Sequence, residues 1–129
     1  MFTFNSCELL NEKCENQFDK VVWINIVSID ILVHRWPVTN QPIGYTVTKH
    51  RCDGTTTDMN GIVNVNELGK GTAKTNYTLN LHNTDDYIEV KMRYFSVDDQ
   101  IEYYESKLIF PIDVDGESLN VDVVLKMNI

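Results

Sequence analysis

Asp53-Gly54-Thr55-Thr56-Thr57-Asp58-Met59-Asn60-Gly61-Ile62-Val63-Asn64-Val65 is the run whose reading decides the fold. Its three consecutive threonines are β-branched and suit a pleated strand. Asn60-Gly61 offers the two residues that most readily accept φ > 0, so a tight hairpin turn is expected there. Ile62-Val63-Asn64-Val65 then reads as the returning strand.

Outward from that run the same alternation recurs. Ile43, Tyr45 and Val47 form one side of a strand, with Thr46 and Thr48 on the other. Tyr77, Leu79 and Leu81 alternate with Thr78, Asn80 and His82. Ile88, Val90, Met92 and Tyr94 alternate with Glu89, Lys91 and Arg93. Ile101 to Ile112 returns after a turn at Val97 to Gln100, with Leu108, Phe110 and Ile112 expected inward. After a turn at Asp115-Gly116, Leu119, Val121, Val123, Leu125, Met127 and Ile129 alternate without a miss, the strongest period-two signal in the chain.

Val21 to Val33 is the first firm element, and it is irregular. Val22, Ile24 and Ile26 lie on one face, while Trp23, Val27, Ile29, Ile31 and Val33 lie on the other. A strand covered on both faces, or one crossing between sheets, is expected to look like this. Trp36-Pro37 and Asn40-Gln41-Pro42 end it, because proline lacks a ladder donor. Ahead of it, residues 1–20 read as a signal remnant and linker, and 21–129 as one domain. Seven to eight short strands separated by Gly, Asp and Asn turns, with no sustained helical period, predict an all-β antiparallel two-sheet sandwich.

The order Pro42-Ile43-Gly44-x-x-Val47, Thr56-Thr57-Asp58-x-x-Gly61-x-Val63-x-Val65, then Tyr77-x-Leu79-x-Leu81, resembles the carboxypeptidase regulatory-like domains of the transthyretin-like β-sandwich group. The resemblance implies a transthyretin-like topology, with an immunoglobulin-like one as the alternative. Its motifs are turns and strands, so it implies a fold rather than a chemistry.

Eleven basic against nineteen acidic residues leave a net charge of −8 over 129 residues. That balance disfavours nucleic acid and anionic membrane surfaces, whose binding rests on Lys and Arg. No apolar run is long enough to span a bilayer. Phe4-Asn5-Ser6-Cys7 resembles the end of a bacterial lipoprotein signal of the Bacteroidetes type, which implies acylation of Cys7. It also implies a place in the periplasm or on the cell surface, with the membrane touched only through the lipid; the cytoplasm is the alternative. The chain has three cysteines, an odd count. With Cys7 acylated, Cys14 and Cys52 remain as an even pair, and an oxidising compartment favours their disulfide.

No catalytic constellation stands out, and no cofactor or metal is expected. His34, His50 and His82 are scattered, and a metal site needs convergent ligands. Asp53 to Asp58 and Asp113 to Glu117 resemble calcium loops only superficially, and turn chemistry explains their acids. Hydroxyisourate hydrolases share the transthyretin-like fold and carry a first-strand histidine, which His34 mimics. Their Tyr-Arg-Gly-Ser terminus is not matched by Leu125-Lys126-Met127-Asn128-Ile129, so such an enzyme is the runner-up. Some related sandwiches carry a Lys–Asn crosslink between first and last strands, for which Lys20 and Asn128 are the counterparts. Tyr94, Phe95, Tyr103 and Tyr104 cluster on two adjacent strands, and alternation sends half of them outward as a candidate binding patch. The expected function is a non-enzymatic module that binds an unidentified protein or carbohydrate of the cell envelope, or supports it structurally. A secretion or adhesion lipoprotein is a further alternative.

Overall fold

A computed structural model describes residues 14, 17–34, 41–96 and 100–128. Cys7, the Trp36-Pro37 break and the Val97–Asp99 turn lie outside these residues. Seven strands follow one another: β1 Gln17–His34, β2 Gln41–His50, β3 Thr56–Val65, β4 Lys70–Asn83, β5 Tyr87–Ser96, β6 Ile101–Ile109 and β7 Ser118–Asn128. One 3₁₀ turn, Pro111–Asp113, joins β6 to β7. The strands form two sheets, β4-β1-β7 and β3-β2-β5-β6, packed as an all-β sandwich. All neighbours are antiparallel except β1 and β7, which run parallel. The parallel register sets Asn128 beside His34. Lys20 therefore lies at the opposite end of β1, roughly 40 Å away at ~3.3 Å per residue, too far for a Lys20–Asn128 crosslink.

The irregular face pattern of β1 has a local cause. Both of its pairings slip between Ile26 and Ser28. The span from Ile26 to Ile29 faces Tyr77 to Ala73 on β4 and only Val121 to Val123 on β7. Such a bulge bends the strand and reverses its side-chain phase. Ile24 and Ile26 point into the core before it, and Ile29, Ile31 and Val33 after it. Trp23 is 42% exposed, so β1 is not covered on both faces. Polar groups buried beside the bulge find partners, as they must. The Thr75 hydroxyl donates to the Ile26 carbonyl at 2.8 Å, and the buried Ser28 hydroxyl donates to the Asp122 carboxylate at 2.8 Å. Asn76 takes φ 53° at the same place.

The core lies between the sheets. Ile24, Ile26, Ile29, Ile31, Leu81, Val123 and Leu125 come from one sheet, and Ile43, Val47, Val63, Val90 and Met92 from the other. Leu79 and Val121 are half-buried against it.

Two expectations are corrected. Asn60-Gly61 is not a turn: both residues sit in the middle of β3, opposite Thr46 and Tyr45. The β2–β3 turn comes earlier, where Gly54 takes φ 90° and Asp53 accepts bonds from the Thr55 amide and hydroxyl. The end of β6 is also out of phase by one residue. Ile109 and Pro111 are buried, while Leu108, Phe110 and Ile112 are 44%, 39% and 91% exposed. β6 is an edge strand of the wider sheet, and its inner face is only partly covered. Lys107 and Glu105 stand on that inner face, opposite Val90 and Met92. Inward charges at an edge discourage strand addition, and they also erase the alternation that reveals a register.

Candidate functional site

The outer face of β3-β2-β5-β6 carries the candidate site. Register places Ile62, Gly44, Arg93 and Tyr104 in one row across all four strands. The next row holds Asn64 opposite Pro42, and Phe95 opposite Glu102. Along central β2 the exposed residues at this end are Pro42 and Gly44. A side chain built on Gly44 would meet nothing within 4 Å. β2 therefore forms the floor of a trough, with Ile62 on one wall and Arg93, Phe95 and Tyr104 on the other. Ile62, Phe95 and Tyr104 are 67%, 53% and 48% exposed.

The aromatic quartet divides as strand alternation requires. Tyr94 and Tyr103 face the core side, half-buried, with rings stacked at 6.3 Å. Phe95 and Tyr104 face the trough. The sequence reads Gly44 and Ile62 as parts of strand motifs and Arg93 as an outward residue of its strand, and marks none of them, nor Glu102, as part of a site.

Arg93 Nε lies 3.8 Å from Glu102 Oε1, and both side chains are more than half exposed. With Tyr104 they line an open cavity of about 400 Å³. Tyr104 is held in place from behind: its hydroxyl donates to Glu89 Oε2 at 2.8 Å. Glu89 also contacts His50 Nε2 at 3.1 Å and lies 3.9 Å from Lys91 Nζ. Burial pushes the Glu89 carboxyl up, but the bonds to Tyr104 and His50 and the Lys91 charge outweigh it, and the net shift is down. The Ser106 hydroxyl pulls the Tyr104 phenol down, yet its bond to Glu89, burial and the Glu89 charge leave it raised. Beyond Glu89, His50 stacks on Tyr87 at 4.4 Å, and Tyr87 meets Phe110 at 5.4 Å. Further along the same outer face, Thr46 bonds to Asn60 at 2.9 Å and Thr48 to Asp58 at 2.7 Å, which ties β2 to β3.

The remaining sequence candidates lie elsewhere. Cys14 and Cys52 are joined, with Cα atoms 5.3 Å apart, at the opposite end of β2 from Gly44. The Cys52 amide donates to Asp86, whose carboxylate also accepts the His82 and Asn83 amides. His34 and His82 are exposed on the other sheet, and His34 marks the far end of β1. Among the described residues, no three His, Cys, Asp or Glu side chains are grouped so as to hold a metal ion. The Asp113 carboxylate accepts the Phe110 amide, so it serves its own turn, as Asp53 does. Buried Lys49 crosses between the sheets to Asn80 at 2.7 Å, and desolvation followed by the Arg51 charge lowers its pKa against the opposing pull of Asp86.

No helix among the described residues is long and apolar enough to cross a membrane. Comparison of the chain with protein-family models, with curated proteins and with solved structures finds no match.

Proposed function

We propose that this chain is a non-enzymatic, transthyretin-like binding module of the cell envelope, anchored by acylation of Cys7, which engages its partner through the Gly44 trough. The strand order supports the topology over the immunoglobulin-like alternative. In the immunoglobulin arrangement the first two strands share a sheet, whereas here β1 pairs only with β4 and β7. The Cys14–Cys52 pair supports an oxidising compartment. The observation that carries the binding reading is the row Ile62–Gly44–Arg93–Tyr104. It sets the Ile62 side chain, the Arg93 stem and the Tyr104 ring on an outer sheet face around the bare backbone of Gly44. Exposed large apolar side chains gathered at one end of one sheet face support an interaction site there.

Co-sedimentation with isolated envelope fragments tests this. Unacylated wild-type protein should sediment with the fragments, and Gly44→Val should stay in the supernatant at an unchanged melting temperature. Equal sedimentation of the two proteins refutes the trough as the binding face. The intact mass of protein extracted from the producing cell tests the anchor: it should show acylated Cys7 as the first residue, and a mature start at Met1 refutes it.

A further inference from the structure

We infer that the occupant of the trough is a neutral oligosaccharide chain, an inference that rests on the binding reading above. Three features of the trough select this chemistry. Its floor is the central strand β2, whose backbone is already paired with β3 on one side and β5 on the other. An extended peptide lying there would find no free ladder groups for its own amides and carbonyls, and unpaired buried amides are costly. A sugar chain has no such requirement, because its hydroxyls are satisfied by side chains and bridging water.

The charges around the trough also cancel. In the two rows that form the trough the charged side chains are Arg93 and Glu102, one of each sign and 3.8 Å apart. Nothing there selects a polyanion or a polycation, and the net charge of −8 opposes a polyanion further.

The walls, finally, are amphipathic in the way a pyranose is. The rings of Phe95 and Tyr104 offer apolar faces for the C–H face of a sugar. Beside them, the exposed Arg93 guanidinium and Glu102 carboxylate supply planar donors and acceptors in the open hollow that they line with Tyr104. Tyr104 is fixed by Glu89, so its ring is ordered before the ligand arrives.

Native electrophoresis in gels cast with soluble neutral polysaccharides, namely glucan, mannan, galactan and xylan, tests the inference on the full chain. At least one polysaccharide should retard the wild type. Phe95→Ala should weaken that retardation about tenfold, the worth of one aromatic contact. Gly44→Val, which fills the floor without a clash, should abolish it, and Val124→Ala on the opposite sheet should leave it unchanged. Melting temperatures near wild type show that each variant is folded. The inference is overturned if no polysaccharide retards the wild type, or if Gly44→Val is retarded as strongly. Envelope binding that is lost in Gly44→Val, together with no retardation by any polysaccharide, overturns the sugar and leaves the binding face standing.

Discussion

The ring of Tyr45 lies over Gly61, its cross-strand partner in β3, so closely that any side chain on Gly61 would collide with the phenol. Gly61 is required there by a neighbour's ring rather than by a turn. The Tyr45 hydroxyl is 3.1 Å from that of Tyr77, and burial, then the bond to Tyr77, pushes its pKa up to about 12. Gly61→Ala should cost ~1–3 kcal/mol, the usual penalty of overpacking. In a Gly61→Ala, Tyr45→Val double variant the clash is gone, so the combined loss should be smaller than the sum of the two single losses. Denaturant melts of the three variants measure this, and simple additivity would refute the contact.

Val123 and Leu108 test the register of the sandwich. Val123 is fully buried in β7, while Leu108 is 44% exposed on β6. Val123→Ala should cost ~1.5–3 kcal/mol through lost burial and the cavity left behind. Leu108→Ala should cost less than about 1 kcal/mol. The reverse order in urea melts would mean that β6 is set one residue differently.

The Cys14–Cys52 bond spans a sequence separation of 38 and ties the segment before β1 to the β2–β3 turn. Loop-closure entropy puts the stability lost on its removal at roughly 3–4 kcal/mol. Cys14→Ser should therefore lower the melting temperature markedly, and Cys52→Ser should do the same. Thiol counting of the wild type in denaturant should find neither cysteine reactive without reductant.

Glu89 gives the fold an acid-sensitive contact. Its carboxyl is held below the ordinary value of 4.5 in the folded protein, so the unfolded chain binds this proton more readily. The stabilisation is then fully present above the unfolded value and is lost as pH falls through the folded one. Glu89→Gln should be less stable than wild type at neutral pH. The gap between the two should narrow as the pH is lowered below 4.5, as followed by urea melts across the acid range. A gap independent of pH would mean that the Tyr104 and His50 bonds do not depend on the carboxylate charge.

Strand periodicity is enough to read the chain as all-β. Alternation from Leu119 to Met127, and again from Ile88 to Tyr94, depends only on neighbours along the strand, and those neighbours are local. The same rule splits the aromatic quartet in half and puts Tyr94 inward with Ile88, Val90 and Met92, so Phe95 could be read from spacing; Tyr104 could not, because the expected register of β6, with Leu108 inward, would have turned it into the core. The tertiary structure alone decided what depends on partners distant in the chain. The parallel pairing of β1 with β7 follows from packing, since no pattern within either strand records its neighbour's direction. The bulge at Val27, where the pairings with β4 and β7 both slip, reverses the face of β1, and it is visible only once both neighbours are in place. Asn60-Gly61 carries a turn's composition, but the ring of Tyr45 places it inside a strand. Gly44 becomes the floor of a trough only once Ile62 and Arg93 are brought to either side of it, because a missing side chain is a feature only relative to the side chains around it.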